Sequence, residues 1–275
     1  MATQTQAGAS VAPAQATPLL RLRGVTKAFG PVQALADVDF EARAGEVVAL
    51  VGDNGAGKST LIKTISGAGP ADSGTFEWDG KEVHIRGPLD ATHLGIQVVY
   101  QDLALADNLD VVGNLFLGRE VRRGPGLAPL NEIEMEKESR RLLDSLKVRT
   151  LRSVRSEVGA LSGGQRQTVA IARSMLGEPR LVILDEPTAA LGVAQTAQVL
   201  ELVGRLRERG HGVILISHNL ADVFAVSDRV VVLRLGGNAG EFPADDAHRQ
   251  AVVAAITGAE GDIRPGIAVE DQEVV

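Results

Sequence analysis

Three short runs of this 275-residue chain hold side chains suited to phosphate chemistry. The first is Gly52-Asp53-Asn54-Gly55-Ala56-Gly57-Lys58-Ser59-Thr60, directly after the apolar run Val47–Val51. A buried strand that feeds a glycine-rich turn and then a helix is the setting in which backbone N–H groups converge on one anion. The helix N-terminus adds the positive end of its dipole. In this pattern Lys58 supplies a point charge to the β- and γ-phosphates, and the Ser59 hydroxyl reaches a magnesium ion. The second run is Leu181-Val182-Ile183-Leu184-Asp185-Glu186, four apolar residues that deliver two carboxylates. A buried strand ending this way places acids at the carboxyl edge of a sheet, where open α/β folds bind ligands. Asp185 is then the candidate to hold the magnesium through water, and Glu186 to orient and polarise an attacking water. The third run, Leu161-Ser162-Gly163-Gly164-Gln165, opens a helical pattern. It reads either as a second anion site or as a plain helix cap with a flexible entry.

The elements that must position these runs follow from the hydrophobic pattern. Short apolar runs alternate with amphipathic stretches, which predicts an α/β sheet covered by helices. Strands are expected at Leu19–Val25, Val47–Val51, Gln97–Tyr100, Leu181–Leu184, Val213–Ile216 and Val230–Leu233. Helices are expected to begin at Lys58, Gly163, Val193 and Asn219. The one from Val193 presents Ala197, Leu200, Val203 and Leu206 as its apolar face and stops at Gly210. Between about residues 103 and 175 strand signals give way to helical ones, at Val111–Leu117 and Glu132–Leu146. This predicts a helical subdomain inserted into the α/β core. Its basic stretch, Lys147, Arg149, Arg152 and Arg155, reads as a solvated, ion-paired face or as a docking surface.

Composition narrows the function. The net charge is −7, which opposes a protein that coats nucleic acid by neutralising phosphates. Cysteine is absent, so disulfides, cysteine-held zinc and thiol nucleophiles are excluded. The longest apolar runs suit buried strands rather than membrane spans, so membrane work would need another chain. Residues 1–18 carry no charge and no aromatic ring and are expected to be a disordered leader without a secretory signal. Residues 19–257 are expected to form one domain, and 258–275, rich in glycine and acids, a flexible tail.

Together the three runs resemble the ATP-binding subunit of an ABC transporter. Leu161–Gln165 matches that family's LSGGQ motif without change, Gly52–Ser59 its Walker A motif, and Leu181–Glu186 its Walker B motif with the following glutamate. The likeness runs from about Leu19 to Leu235. It implies a P-loop NTPase core with an antiparallel β subdomain and an inserted α-helical subdomain. Residue by residue it implies further roles. Gln101 matches the glutamine that touches magnesium and water and joins the site to the helical subdomain. His218 matches the switch histidine that contacts the γ-phosphate, and Phe29 the aromatic that stacks on adenine. The cofactors implied are ATP and Mg2+. The implied mechanism closes two cassettes head to tail, each ATP lying between one P-loop and the partner's Ser162-Gly163-Gly164.

One position departs from the pattern. Where the family ends a short loop in Leu-Asp, this chain has Leu191-Gly192, which loosens the expected coupling of the two sites. The stretches GDNGAGKSTLIKTISG and VVYQDLALADNLDVVGNLFLGRE look most like cassettes of monosaccharide (ribose, xylose, fructose) importers. The implied partners are a second cassette, with a homodimer expected, a membrane-spanning permease and, indirectly, a solute-binding protein, with no nucleic acid. The implied location is cytoplasmic, on the inner face of the membrane. Two other readings compete: a non-transport ATPase of the same family acting in DNA repair or translation, and an ATP-responsive module that regulates a partner without turnover.

Overall fold

The computed structural model describes residues 17–125 and 128–259. The expected leader and tail therefore lie almost wholly outside the described residues. The chain opens with an antiparallel hairpin, β1 (Leu20–Phe29) and β2 (Val32–Ala42), turned at Gly30. β1 runs four residues past the strand expected at Leu19–Val25, because the less apolar Lys27-Ala28-Phe29 still finds partners across the hairpin. β2 was not expected. Its inward residues are Leu35, Val38, Phe40 and Ala42, with Asp39 and Glu41 between them, a half-buried alternation. The phase slips by one between Leu35 and Val38. Asp37 sits there at φ 56°, an extra residue in the strand that hides the period of two.

β3 (Val47–Val51) is apolar and buried throughout and leads through the glycine-rich loop into α1 (Lys58–Ile65). β4 (Ser73–Trp78) and β5 (Lys81–Val83) then join the hairpin in a four-stranded antiparallel sheet, order β2-β1-β4-β5. After α2 (Pro88–His93) the chain enters β6 (Ile96–Val99), one residue ahead of the expected Gln97–Tyr100. α3 (Val111–Phe116) and α4 (Glu132–Ser145) match the two helical patterns of the middle segment. α5 (Gly163–Met175), β7 (Leu181–Asp185), α6 (Val193–Glu208), β8 (Gly212–Ile216), α7 (Leu220–Val226) and β9 (Arg229–Arg234) follow. The described chain ends with β10 (Gly237–Pro243) and α8 (Arg249–Thr257).

The second sheet has the order β10-β9-β3-β8-β7-β6, parallel from β9 to β6, with β10 antiparallel at one edge. Residues of its strands feed three clusters, the third formed by Ala49, Val51, Val230 and Val232 with Val223 of α7 and Val252 of α8. Ile183, Ile214 and Leu50 pack with Leu61 and Ile65 of α1 and with Leu22 and Phe76 of the small sheet. Val182, Leu184 and Leu215 pack with Leu115 of α3, Met135 of α4 and Ile171 of α5. The helical segment therefore shares its core with one face of the parallel sheet.

The expected apolar face of α6 needs correction. Ala197 is exposed, and the buried residues are Val199, Leu202, Val203 and Leu206. Steps of three residues drift around a helix with 3.6 residues per turn, whereas the 3-1-3 spacing stays on one side. Gly210 ends the helix as expected, with φ 86° and its N–H on Arg207 O at 2.9 Å. Of the basic stretch, Arg155 is ion-paired with Asp110, Glu132 and Glu136.

Because Ile183 is completely buried in the central sheet, Ile183→Ala should lower unfolding free energy by about 3 kcal/mol. Urea denaturation of the full chain checks this, and a loss below about 1 kcal/mol would contradict the packing described.

Candidate nucleotide site

Strand register brings the first two motifs to one edge. Leu50 of β3 pairs with Ile216 of β8, and Ile216 pairs with Asp185 of β7. The glycine-rich loop, Asp185-Glu186 and Ser217-His218 therefore leave the sheet side by side. Val99 of β6 pairs with Leu184, so Gln101 leaves at the same end, with its side chain exposed.

The loop itself is built for an anion. Gly57 holds φ 105°, and a Cβ there would lie 2.7 Å from Ala34 O, so no side chain fits. It is also the N-cap of α1, and no side chain caps that helix end. The free N–H groups of the first turn are thus left for an outside acceptor. Gly55 and Asn54 are exposed at the turn and Ala56 is buried, its N–H on Asp53 O at 3.1 Å. Lys58 Nζ folds back onto its own loop, donating to Gly52 O at 2.5 Å and Asp53 O at 3.0 Å. Ser59 and Thr60 follow in the first turn of α1.

The electrostatics tie Lys58 to the acids. Burial lowers the Lys58 pKa, while Glu186, Asp53 and Asp185 pull it back up. Asp185 is pushed up from the usual carboxylate range, first by burial and then by the charge of Glu186, against the opposing effect of Lys58 and Lys63.

Glu186 sits in the left-handed region at φ 50°, a cost of about 1–3 kcal/mol that its surroundings must hold. Its N–H donates to Ile216 O at 2.9 Å, which fixes the turn to β8. Its Oε2 lies 2.8 Å from His218 Nδ1. A carboxylate only accepts, so the proton of this contact is on Nδ1. His218 is otherwise open, its side chain 75% exposed.

Ser162, Gly163, Gly164 and Gln165 form a capping box at the start of α5. Gln165 N donates to Ser162 Oγ at 3.4 Å and Ser162 N to Gln165 Oε1 at 2.9 Å. Gln165 Nε2 also reaches Thr150 O at 2.6 Å. Among the described residues no hydrogen bond or ion pair joins this turn to the glycine-rich loop. Phe29, at the end of β1, is likewise apart from the carboxylates and 55% exposed.

Two contacts around the site were not foreseen. Thr188 Oγ1 donates to Asp222 Oδ2 at 2.6 Å in a buried bond that ties the segment after Glu186 to α7. A Cβ on Gly164 would meet Gln195 Cβ at 2.8 Å, so the second of the paired glycines is packed against α6. Asp222 and Gln195 belong to unremarkable helical patterns, and only their spatial neighbours give them meaning.

The sequence and the fold match those of known proteins. A family model described as ABC transporter matches residues 35–189. The chain is 44% identical over 255 residues to a fructose import ATP-binding protein from Rhizobium meliloti, covering 91% of this chain and 98% of that one. It is 48% identical over 218 residues to a xylose/arabinose import ATP-binding protein from Sulfolobus acidocaldarius, covering 79% of this chain and 85% of the relative. Among solved structures, a dimeric post-hydrolysis state of an ATP-binding cassette bound to ADP and Pi superposes with a TM-score of 0.67. It is 26% identical, and the match covers 82% of this chain and 99% of that one. With its glycine-rich loop, its paired acids and its LSGGQ turn, the chain belongs to the ATP-binding subunits of the ABC transporter family.

Proposed function

We propose that this chain hydrolyses ATP to power a sugar importer, and that it works as one of two cassettes, each holding half of every nucleotide site. The observation that carries this reading is the division of the motifs. Lys58, Asp185, Glu186 and His218 share one sheet edge, while Ser162-Gly163-Gly164 starts a different helix with no bond to them. Residues 19–257 then act as one unit, with the segment of about 103–175 as its helical subdomain. The import role follows the sugar importers to which the chain is similar.

On this reading the N–H groups of Gly55 and of Gly57–Thr60 bind the phosphates, since that of Ala56 is held by Asp53 O. Lys58 exchanges its two loop carbonyls for the β- and γ-phosphate oxygens. Phe29 stacks on the adenine. The hydroxyl of Ser59, the carboxylate of Asp185 and the amide oxygen of Gln101 are the hard donors that magnesium prefers, and a cation there would offset the burial and the Glu186 charge that push Asp185 up. Bound there, the ion would neutralise phosphate charge.

Glu186 takes the proton of the attacking water. His218 holds that carboxylate through Nδ1–H, and it can also donate to the γ-phosphate from Nε2 only as the imidazolium. Most of the remaining work is positioning. The partner's Ser162, Gly163 and Gly164 complete the phosphate shell on closure, and loss of the γ-phosphate lets the halves part. A membrane-spanning permease, contacted near Gln101, receives the motion on the cytoplasmic face of the membrane. A solute-binding protein would deliver the sugar. No helix among the described residues is long and apolar enough to cross a membrane.

Two outcomes are expected. Glu186→Gln, assayed with its permease, should keep ATP binding and lose at least about 100-fold in phosphate release. Unchanged turnover would remove Glu186 from the role. Asp185 has a raised pKa, so its ionised form costs stability once the pH climbs through that pKa, and the cost is absent below the ordinary carboxylate pKa. Asp185→Asn should therefore raise the Tm of the nucleotide-free chain at neutral pH by about 1–3 °C, a gain that fades on acidification. A lower Tm at neutral pH would contradict this.

A further inference from the structure

The end of β1 is held more firmly than a hairpin tip requires. Asp72, one residue before β4, uses both carboxylate oxygens on the same target. Oδ1 accepts from Lys27 Nζ at 2.7 Å, and Oδ2 accepts from the backbone N–H of Ala28 at 2.7 Å. Its own N–H donates to Thr26 O at 2.9 Å, and the neighbouring Thr26 and Ser73 hydroxyls are 2.7 Å apart. Four contacts thus pin Thr26, Lys27 and Ala28, the three residues that carry the chain into Phe29. They act where the register of β1 is irregular, between Val25 and Ala28, so the regular ladder alone does not fix this stretch.

The same ion pair reaches the ring. Lys27 Nζ lies 5.6 Å from the centroid of Phe29, within range of a cation–π contact. The Lys27 side chain is only 16% exposed, whereas Phe29 is 55% exposed. A tethered ammonium therefore rests over a ring whose remaining surface is open. A cation there draws on the π-density of the ring and fixes its plane, and a fixed plane costs less entropy when a base stacks on it.

We propose that Asp72 and Lys27 are positioning residues for nucleobase binding, a clasp that presents the Phe29 ring to the purine of the bound nucleotide. The proposal rests on the reading of Phe29 as the adenine-stacking residue. Asp72 acts twice, by fixing the backbone before Phe29 and by holding the Lys27 charge over its ring. Neither side chain bonds to the glycine-rich loop, so the clasp contributes to base affinity and not to the chemistry at the γ-phosphate.

The test compares two ligands on the full chain, MgATP and inorganic tripolyphosphate with magnesium, which has no base. Asp72→Asn and Lys27→Met should each weaken MgATP binding about 5-fold and leave tripolyphosphate affinity within about 2-fold. In the transporter they should raise KM with kcat unchanged. The double variant should be no weaker than about the worse single one, and Asp72→Asn should add nothing in a Phe29→Ala background. Equal losses for both ligands, or no loss for MgATP in a Phe29-containing chain, would overturn the proposal. A Phe29→Ala chain that binds MgATP normally would instead overturn the reading of Phe29 beneath it. Two variants that differ in chemistry guard against a single misfolded one, and a loss that followed Tm in both would mark the clasp as merely structural.

Discussion

Everything at the nucleotide edge depends on how charge is confined there. β7 ends in one carboxylate and is followed by a second, near the ammonium groups of Lys58 and Lys63, and Lys58 is already spent on its own loop. Burial weakens both sides, lowering the Lys58 pKa and raising that of Asp185. On the proposed function, a ligand that brings phosphates to the lysine and a cation to the acids relieves this arrangement. The sheet sustains it because β3, β7 and β8 are buried on both faces, so their ends have little freedom to move apart. The left-handed Glu186, tied to Ile216 and His218, belongs to the same design. Its carboxylate is held by the fold itself, through the backbone bond to Ile216 and the contact with His218.

The parallel strands and the phosphate loop were legible in the sequence because burial on both faces writes an unbroken apolar run. Val47–Val51, Leu181–Leu184 and Val213–Ile216 all appear where expected. Of the antiparallel sheet only β1 was legible from pattern, and only the family likeness implied the rest. β2 hides its alternation behind the bulge at Asp37, and β4 and β5 are short and mostly polar. The edge strand β10, GNAGEFP, carries glycines and a proline that argue against a strand, yet it pairs with β9 from Arg229 to Arg234. α8 escaped for another reason: only Val252 is buried, so it has almost no apolar stripe to read.

Within the site, the split was between residue type and residue contact. Lys58, Asp185 and Glu186 are recognisable because their chemistry is bound to a local motif. His218 and Phe29 become meaningful only within the family likeness, since a lone histidine or phenylalanine has many ordinary uses. Asp222, Gln195, Asp72 and Lys27 gave no local signal at all. Their partners lie far along the chain, as in the bond from Thr188 to Asp222, and distance in sequence conceals them. Gly192 is the reverse case, a visible departure from the family pattern. Its N–H is 3.3 Å from Gln195 Oε1, on the residue that packs against Gly164, so the loop without its usual carboxylate remains tied to the LSGGQ turn of its own chain.

On the proposed function, the separation of that turn from the phosphate loop makes association part of catalysis. The most direct measurement follows ATP turnover per chain over a hundredfold range of protein concentration, with light scattering on the same magnesium- and ATP-loaded samples. Turnover per chain should climb as particles of twice the chain mass form. Full, concentration-independent turnover by a particle that scatters as a single chain would contradict a site shared between two copies.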